Sequence, residues 1–249
     1  MHLEGKRMLV TGGARGIGRA IAEGALAAGA RVAIWALHEA SANDAWDAMP
    51  GLTLADAVDV GSQVAVRDGM ARVLGALGGL DVLVNNAGYT LTSHFVDEEE
   101  SYWRRVVDTN FWGPVYTTRA VLPTMCEQNQ GSIIHVVSDA GRVGMAGEAV
   151  YAGAKGGVIA FAKSIAQEMA RFNIRVNCVA PGPTRTAILD DNTADAEAQH
   201  LIDKMIRRIP LKRIAEPPEI AAVVLFLASD AASYMTGQVV SVSGGLTMV

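Results

Sequence analysis

Tyr151 and Lys155 stand four positions apart in VYAGAKGG (150–157), and the residues between and just after them are small: Ala152, Gly153, Ala154, Gly156 and Gly157. On a helix, positions i and i+4 share a face, so a phenol and an ammonium come to lie side by side. A free tyrosine has a pKa near 10, too high for a good base at neutral pH. Two unit charges ~4 Å apart interact by about 4 kcal/mol at an effective dielectric of 20, and one pKa unit is ~1.4 kcal/mol. The ammonium can therefore depress the phenol by about two to three units, and the chemistry on offer is proton exchange with a bound oxygen. The missing side chains leave room for a flat ligand against the helix. Alone, the pair also fits an amphipathic helix surface. Ser138, at a strand's carboxyl end, adds a hydroxyl that can stabilise charge developing on a substrate oxygen.

A second constellation lies in TGGARGIGRAIAEGALAAGA (11–30), where Gly12, Gly16 and Gly18 follow the spacing T-G-x-x-x-G-x-G. The stretch follows a strand and opens an amphipathic helix. Backbone without side chains lets peptide N–H groups approach a pyrophosphate at a helix N-terminus. Dinucleotide folds place an acid after the second strand to hold the adenosine ribose. The matching position here is Ala36, and no acid follows until Glu39. An acid would repel a 2′-phosphate, while Arg15 could attract one and His38 could hydrogen-bond it. The cofactor is read as NADP(H) or NAD(H), with the balance toward NADP(H).

Elements of two periods must position these residues. Short apolar, β-branched runs at 7–10, 31–35, 81–84, 132–137, 174–179 and 237–242 fit strands buried on both faces. A weaker seventh is 52–58. Helical stretches fall near 17–28, 39–48, 62–77, 98–127, 150–171 and 217–228. The alternation predicts a single α/β Rossmann-fold domain over 1–249, with a doubly wound seven-stranded parallel sheet and helices on both faces. Residues 184–210 interrupt the rhythm. They carry an apolar face at Leu201, Ile202, Met205, Ile206 and Ile209, read as an insertion that covers a substrate.

Four further stretches match in order: NNAG (85–88), Asn110 on the long helix, Ser138 with Tyr151 and Lys155, and PGPT (181–184). With TGGARGIG, the set resembles the short-chain dehydrogenase/reductase family over essentially the whole chain. The resemblance implies a catalytic group of Asn110, Ser138, Tyr151 and Lys155, with Asn110 holding a water that links Lys155 to solvent. It implies a nicotinamide cofactor held by Gly12, Arg15, Gly16, Ile17 and Gly18, by Ala36, by Asp59 and Val60 near the adenine, and by Asn85, Ala87 and Gly88. Tyr151 and Lys155 then meet the ribose side, and Pro181, Gly182, Thr184 and Thr186 the nicotinamide. The implied reaction interconverts a secondary alcohol and a ketone, with Tyr151 as general acid and base. The resemblance also implies a homo-oligomer, tetramer or dimer, although Ser243 stands where an aspartate is common.

SDAGRVGMAGEAVYAGAKGG (138–157), APGPTRTAIL (180–189) and SVSGGLTM (241–248) look most like the branch that oxidises 2-hydroxycyclohexanecarboxyl-coenzyme A. A cyclic or acyl substrate, such as a coenzyme A thioester, is the expectation. One alternative is a 3-oxoacyl-carrier-protein reductase, which calls for a basic docking surface that the sequence reading does not find. Another is a catalytically silent nucleotide-binding sensor, which the four catalytic residue types argue against. Tyr89, His94, Arg142, Met145 and Glu148 lie where the family builds its pocket; Arg142 could attract an anion and Glu148 could line the wall.

Bulk properties exclude other classes. The net charge is −5 across 249 residues, and no basic run suits nucleic acid. No apolar run approaches the ~18 residues of a membrane span. Two cysteines and scattered histidines suggest neither a disulfide framework nor a metal site. A reduced cytoplasmic protein is expected.

Overall fold

The computed structural model describes residues 2–186 and 204–249. Seven strands form one parallel sheet in the order β3-β2-β1-β4-β5-β6-β7. They are β1 (Arg7–Thr11), β2 (Arg31–Ala36), β3 (Leu54–Ala57), β4 (Val82–Asn85), β5 (Gly131–Val136), β6 (Ile174–Pro181) and β7 (Val239–Val242). The order reverses between β1 and β4, and such a switch point opens a crevice at the strands' carboxyl ends. The helices are α1 (Gly16–Ala27), α2 (Glu39–Ala48), α3 (Gln63–Leu77), α4 (Glu100–Val107), α5 (Gly113–Gln128), α6 (Ala140–Val143), α7 (Ala149–Met169) and α8 (Pro217–Ala228).

The period-2 alternation of each strand sorts its side chains between two cores. Met8, Val10, Val32, Ile34 and Ile134 face α1 and α8, meeting Ile21, Ala25, Val224 and Leu225. Leu9, Trp35, Leu83, Ile133 and Val176 face α3, α5 and α7, meeting Val73, Val121 and Val158. Burying each large aliphatic side chain contributes about 1.5–3 kcal/mol. Caps set the helix ends. Ser62 accepts from the Ala65 N–H at 3.3 Å to start α3, and Gly78, at φ 75°, ends it.

The expected helix over 98–127 is two helices joined by a π-helical turn at Asp108–Trp112. The last strand begins at Val239, not residue 237, because Gly237 takes φ 70° and Gln238 donates its N–H to Asn177 at 3.0 Å. Most of the expected covering segment, including Leu201 and Ile202, lies outside the described residues. Of the rest, 204–208 is helical and Ile209 is buried. Among the described residues no helix is long and apolar enough to cross a membrane, and both cysteines are free thiols.

Candidate active site

The turn from β1 to α1 is packed so tightly that side chains are excluded. Gly12 and Gly16 take φ of 63° and 55°, the left-handed region where glycine rests without strain. A Cβ at Gly12 would lie 2.9 Å from the Ala87 Cα, and one at Gly18 would collide with the Gly12 carbonyl oxygen. Asn86 fastens this turn. Its Nδ2 donates to the carbonyls of Thr11 at 3.0 Å and Gly12 at 3.2 Å, while Thr11 Oγ1 accepts from the N–H groups of Asn86 and Ala87 at 3.0 Å each. The first turn of α1 carries no acid and no side-chain cap. Its N–H groups, Ile17 among the first-turn residues, suit a pyrophosphate. Thr186 leans over Gly16, and the exposed Arg15 flanks the turn.

At the end of β2, Ala36 is buried and followed by exposed Leu37 and His38, so no acid occupies the ribose corner. Asp59 shapes the next turn by accepting from the Gly61 N–H at 2.9 Å, and Val60 packs beside Gly113. These features fit a nicotinamide nucleotide. Asn85 differs from expectation. Its side chain points into the interior, accepting from Thr117 Oγ1 at 2.7 Å and lying 3.2 Å from His135 Nδ1. It has only its backbone to offer a cofactor. On the far side, Pro181 ends β6, Gly182 has no room for a side chain against Ser243, and buried Thr184 donates to the Gly182 carbonyl at 3.0 Å.

Ser138, Tyr151, Lys155 and Asn110 converge at the carboxyl ends of β4 and β5. Lys155 is buried on α7. Its Nζ donates to the Val136 carbonyl at 2.9 Å and lies 5.6 Å from the Tyr151 ring centroid. Gly88 lies between Lys155 and Asn110, since a Cβ there would be 3.7 Å from Lys155 Nζ and 3.1 Å from Asn110 Oδ1. Ser138 Oγ accepts from the Ala140 N–H at 3.1 Å and lies near enough to the Tyr151 phenol to favour its ionised form.

The electrostatics correct the expectation from spacing. Burial pushes the Tyr151 phenol above its ordinary value, the Glu148 carboxyl adds to the rise, and the Ser138 hydroxyl opposes it. The Lys155 ammonium, 5.6 Å from the Tyr151 ring centroid, donates to the Val136 carbonyl and is itself lowered to about 8 by burial, so desolvation prevails at the phenol. The phenol is thus held protonated. The Asn110 side chain is fully committed to the protein. Both its amide protons are spent on the carbonyls of Tyr89 (2.7 Å) and Val106 (2.9 Å), and its Oδ1 accepts from the Tyr89 N–H (3.3 Å). Its side chain clamps the loop after β4. The π-helical turn around Asn110 places it there, and such turns recur at functional sites.

The expected pocket residues separate. Tyr89 is fixed by Asn110 and covered by the Arg105 guanidinium 4.0 Å from its ring centroid. His94 and Met145 are exposed on the rim, and Glu148 precedes α7 beside Tyr151. Arg142 is not a pocket residue, because it is turned away toward β7 and donates to Ser241 and to the Val249 carbonyl. Sequence reasoning missed Asn86, although it stands within NNAG, and His135. The His135 ring is completely buried, and burial beside Lys155 lowers its pKa to about 3.

A family model described as "Enoyl-(Acyl carrier protein) reductase" matches residues 12–247. The chain is 41% identical to the 3-oxoacyl-[acyl-carrier-protein] reductase FabG of Chlamydia pneumoniae, covering 98% of each. It is 38% identical to the protein of the same name from Escherichia coli, covering 100% of each. A solved structure assigned as a short-chain alcohol dehydrogenase of Sinorhizobium meliloti superposes with a TM-score of 0.92 at 34% identity, over 98% of this chain and 97% of that one. The seven-stranded parallel sheet, the side-chain-free turn and these full-length likenesses agree: the chain belongs to the short-chain dehydrogenase/reductase family of nicotinamide-dependent oxidoreductases.

Proposed function

We propose that this protein reduces a 3-oxoacyl thioester to the 3-hydroxyacyl thioester, with Asn110, Ser138, Tyr151 and Lys155 as its working group. One observation carries it: Tyr151, Ser138 and the buried Lys155 meet at the carboxyl end of β5 in a chain 41% identical to a 3-oxoacyl-carrier-protein reductase, and burial of the phenol favours its protonated form. A proton donor is what ketone reduction requires. A nicotinamide nucleotide held by the Gly12–Gly18 turn and the Pro181–Thr184 segment would supply the hydride for the carbonyl carbon. Ser138 Oγ steadies the charge that builds on the carbonyl oxygen, and Tyr151 Oη gives that oxygen its proton. An alkoxide is a far stronger base than a phenolate, so this transfer runs downhill even from a phenol of raised pKa. Lys155, anchored on the Val136 carbonyl and 5.6 Å from the phenol ring, would hold the ribose side, while Asn110 keeps the Tyr89 loop in place.

Relatives named for 3-oxoacyl-carrier-protein reduction favour this substrate over the hydroxyacyl-coenzyme A reading. An acidic carrier also has something to meet. Lys204, Arg207, Arg208, Lys212 and Arg213 are exposed on 204–213, a basic edge that the sequence reading passed over. That edge ends the segment 184–210, whose role is to cover the substrate. Arg15 and the acid-free end of β2 favour NADP(H) over NAD(H). The molecule works as a homo-oligomer, dimer or tetramer. The half-exposed edge strand β7 and the stacked Trp112–Tyr116 pair, where the π-helical turn meets α5, are surfaces for it.

The test is a panel of 3-oxoacyl thioesters and cyclic 2-hydroxyacyl thioesters, followed by nicotinamide absorbance with each cofactor. Reduction of the 3-oxoacyl series should show the higher kcat/KM, with NADPH preferred. Faster oxidation of the cyclic hydroxy series overturns the assignment.

A further inference from the structure

The residue just before α7 is an acid, Glu148, three positions ahead of Tyr151. Its backbone is pinned from three directions. The Glu148 N–H donates to the Met145 carbonyl at 3.2 Å, its own carbonyl accepts from Ala152 at 2.8 Å, and the preceding Gly147 carbonyl accepts from the Ser93 N–H at 3.0 Å. That last bond ties the start of α7 to the loop after β4. Gly147 is at φ 81°, and a Cβ on it would lie 2.9 Å from Thr92 Cγ2. The Glu148 side chain makes no cap bond to α7 and is half-buried. Glu148 thus stands where the two segments meet, three positions before Tyr151, and its half-buried carboxyl acts on the phenol through space.

We propose that Glu148 is a specificity-determining residue: its carboxylate, beside the phenol that serves the reacting oxygen, rejects ketones bearing an anionic group on the neighbouring carbons and passes neutral esters and thioesters. The inference rests on the proposed function in placing the ketone at Tyr151. A free 3-oxo acid differs from its thioester by a carboxylate two bonds from the ketone carbon. Two carboxylates crowded into a partly dry site repel each other, whereas the thioester brings no charge. The group would thus separate carrier-bound chains from hydrolysed ones.

The titratable groups on the surrounding elements are Tyr151 and Lys155 on α7, Arg142 on α6 and His94 on the facing loop. Arg142 is turned to Ser241 and Val249. Burial alone raises the Glu148 carboxyl above its ordinary value. Protonated Glu148 is neutral and cannot repel an anion, so discrimination weakens in acid and grows as pH rises through its ionisation.

The test compares ethyl acetoacetate with acetoacetate, and methyl pyruvate with pyruvate, from about pH 5 to pH 8. It reads kcat/KM or, where turnover is absent, the dissociation constant in the presence of cofactor. The wild type should prefer each ester by about tenfold or more, increasingly so at higher pH. Glu148→Gln should bring both ratios within about threefold and flatten their pH dependence, while Glu148→Asp, which keeps the charge, retains the preference. Ratios and slopes unchanged in Glu148→Gln overturn the inference. If the acetoacetate pair is not turned over while Glu148→Gln still shifts the binding ratios, the 3-oxoacyl reading fails and the charge filter stands.

Discussion

The two halves of the crevice are built on opposite principles. On the nucleotide side, backbone packs against backbone: Gly12 and Gly18 have no room for even a methyl, and Asn86 ties two strands' ends together. On the substrate side the rim carries exposed apolar side chains. Leu91, Phe95, Val96, Val143 and Met145 are all at least 48% exposed, and a Cβ on Gly144 would meet nothing within 4 Å. Close-packed backbone fixes one ligand geometry and tolerates little change. A loosely walled mouth can vary its side chains at little cost to the fold, which is where substrate choice resides in a family sharing one cofactor.

Four measurements can break or sharpen that contrast. Tyr151→Phe, at the seam of the two halves, should lower kcat by about 10²–10⁴-fold with cofactor affinity little changed. Undiminished turnover would remove Tyr151 from its role. Gly18→Ala should weaken cofactor binding by about tenfold or more and lower Tm, because its methyl meets the Gly12 carbonyl oxygen. Titration calorimetry and a melting curve read both, and a wild-type profile would mean the turn yields.

The third concerns the floor beneath the seam. His135 has a folded pKa of about 3 against an ordinary 6.5. The unfolded chain therefore binds the extra proton first, and stability present above pH about 6.5 is lost as pH falls toward about 3. His135→Asn keeps an acceptor for Asn85 and removes the titrating ring, so melting temperatures should decline less steeply over that window. An identical decline assigns the acid sensitivity to other groups. Smallest is Val96→Ser on the rim, where Val96 is 88% exposed. Stability should stay within about 0.5 kcal/mol, with KM for a long acyl chain rising a few-fold. A large loss of stability would contradict the idea of a tolerant rim.

The sheet was legible in the sequence because buried parallel strands are written as continuous β-branched runs; six were bounded within two residues, and the weaker 52–58 contained Leu54–Ala57. The glycine turn was legible because only glycine satisfies its sterics. Three features were not. Periodicity summed over a 30-residue stretch does not register one extra residue, so the π turn at Asn110 was invisible. Arg142 sits in a pocket-forming segment, yet its direction is decided by Ser241, 99 residues away. The state of Tyr151 depends on burial, which spacing does not encode, so the neighbouring ammonium was credited with an influence that desolvation outweighs.

The wide turn at Asp108–Trp112 makes chain length itself a component of the site. An α-helix advances about 100° per residue. Deleting one residue there to restore regular winding would swing either α4 with its loop clamp or α5 with its sheet contacts by that angle, and the two could no longer both dock. Anyone shortening or grafting this helix inherits that phase relationship, and must carry the odd residue along with it.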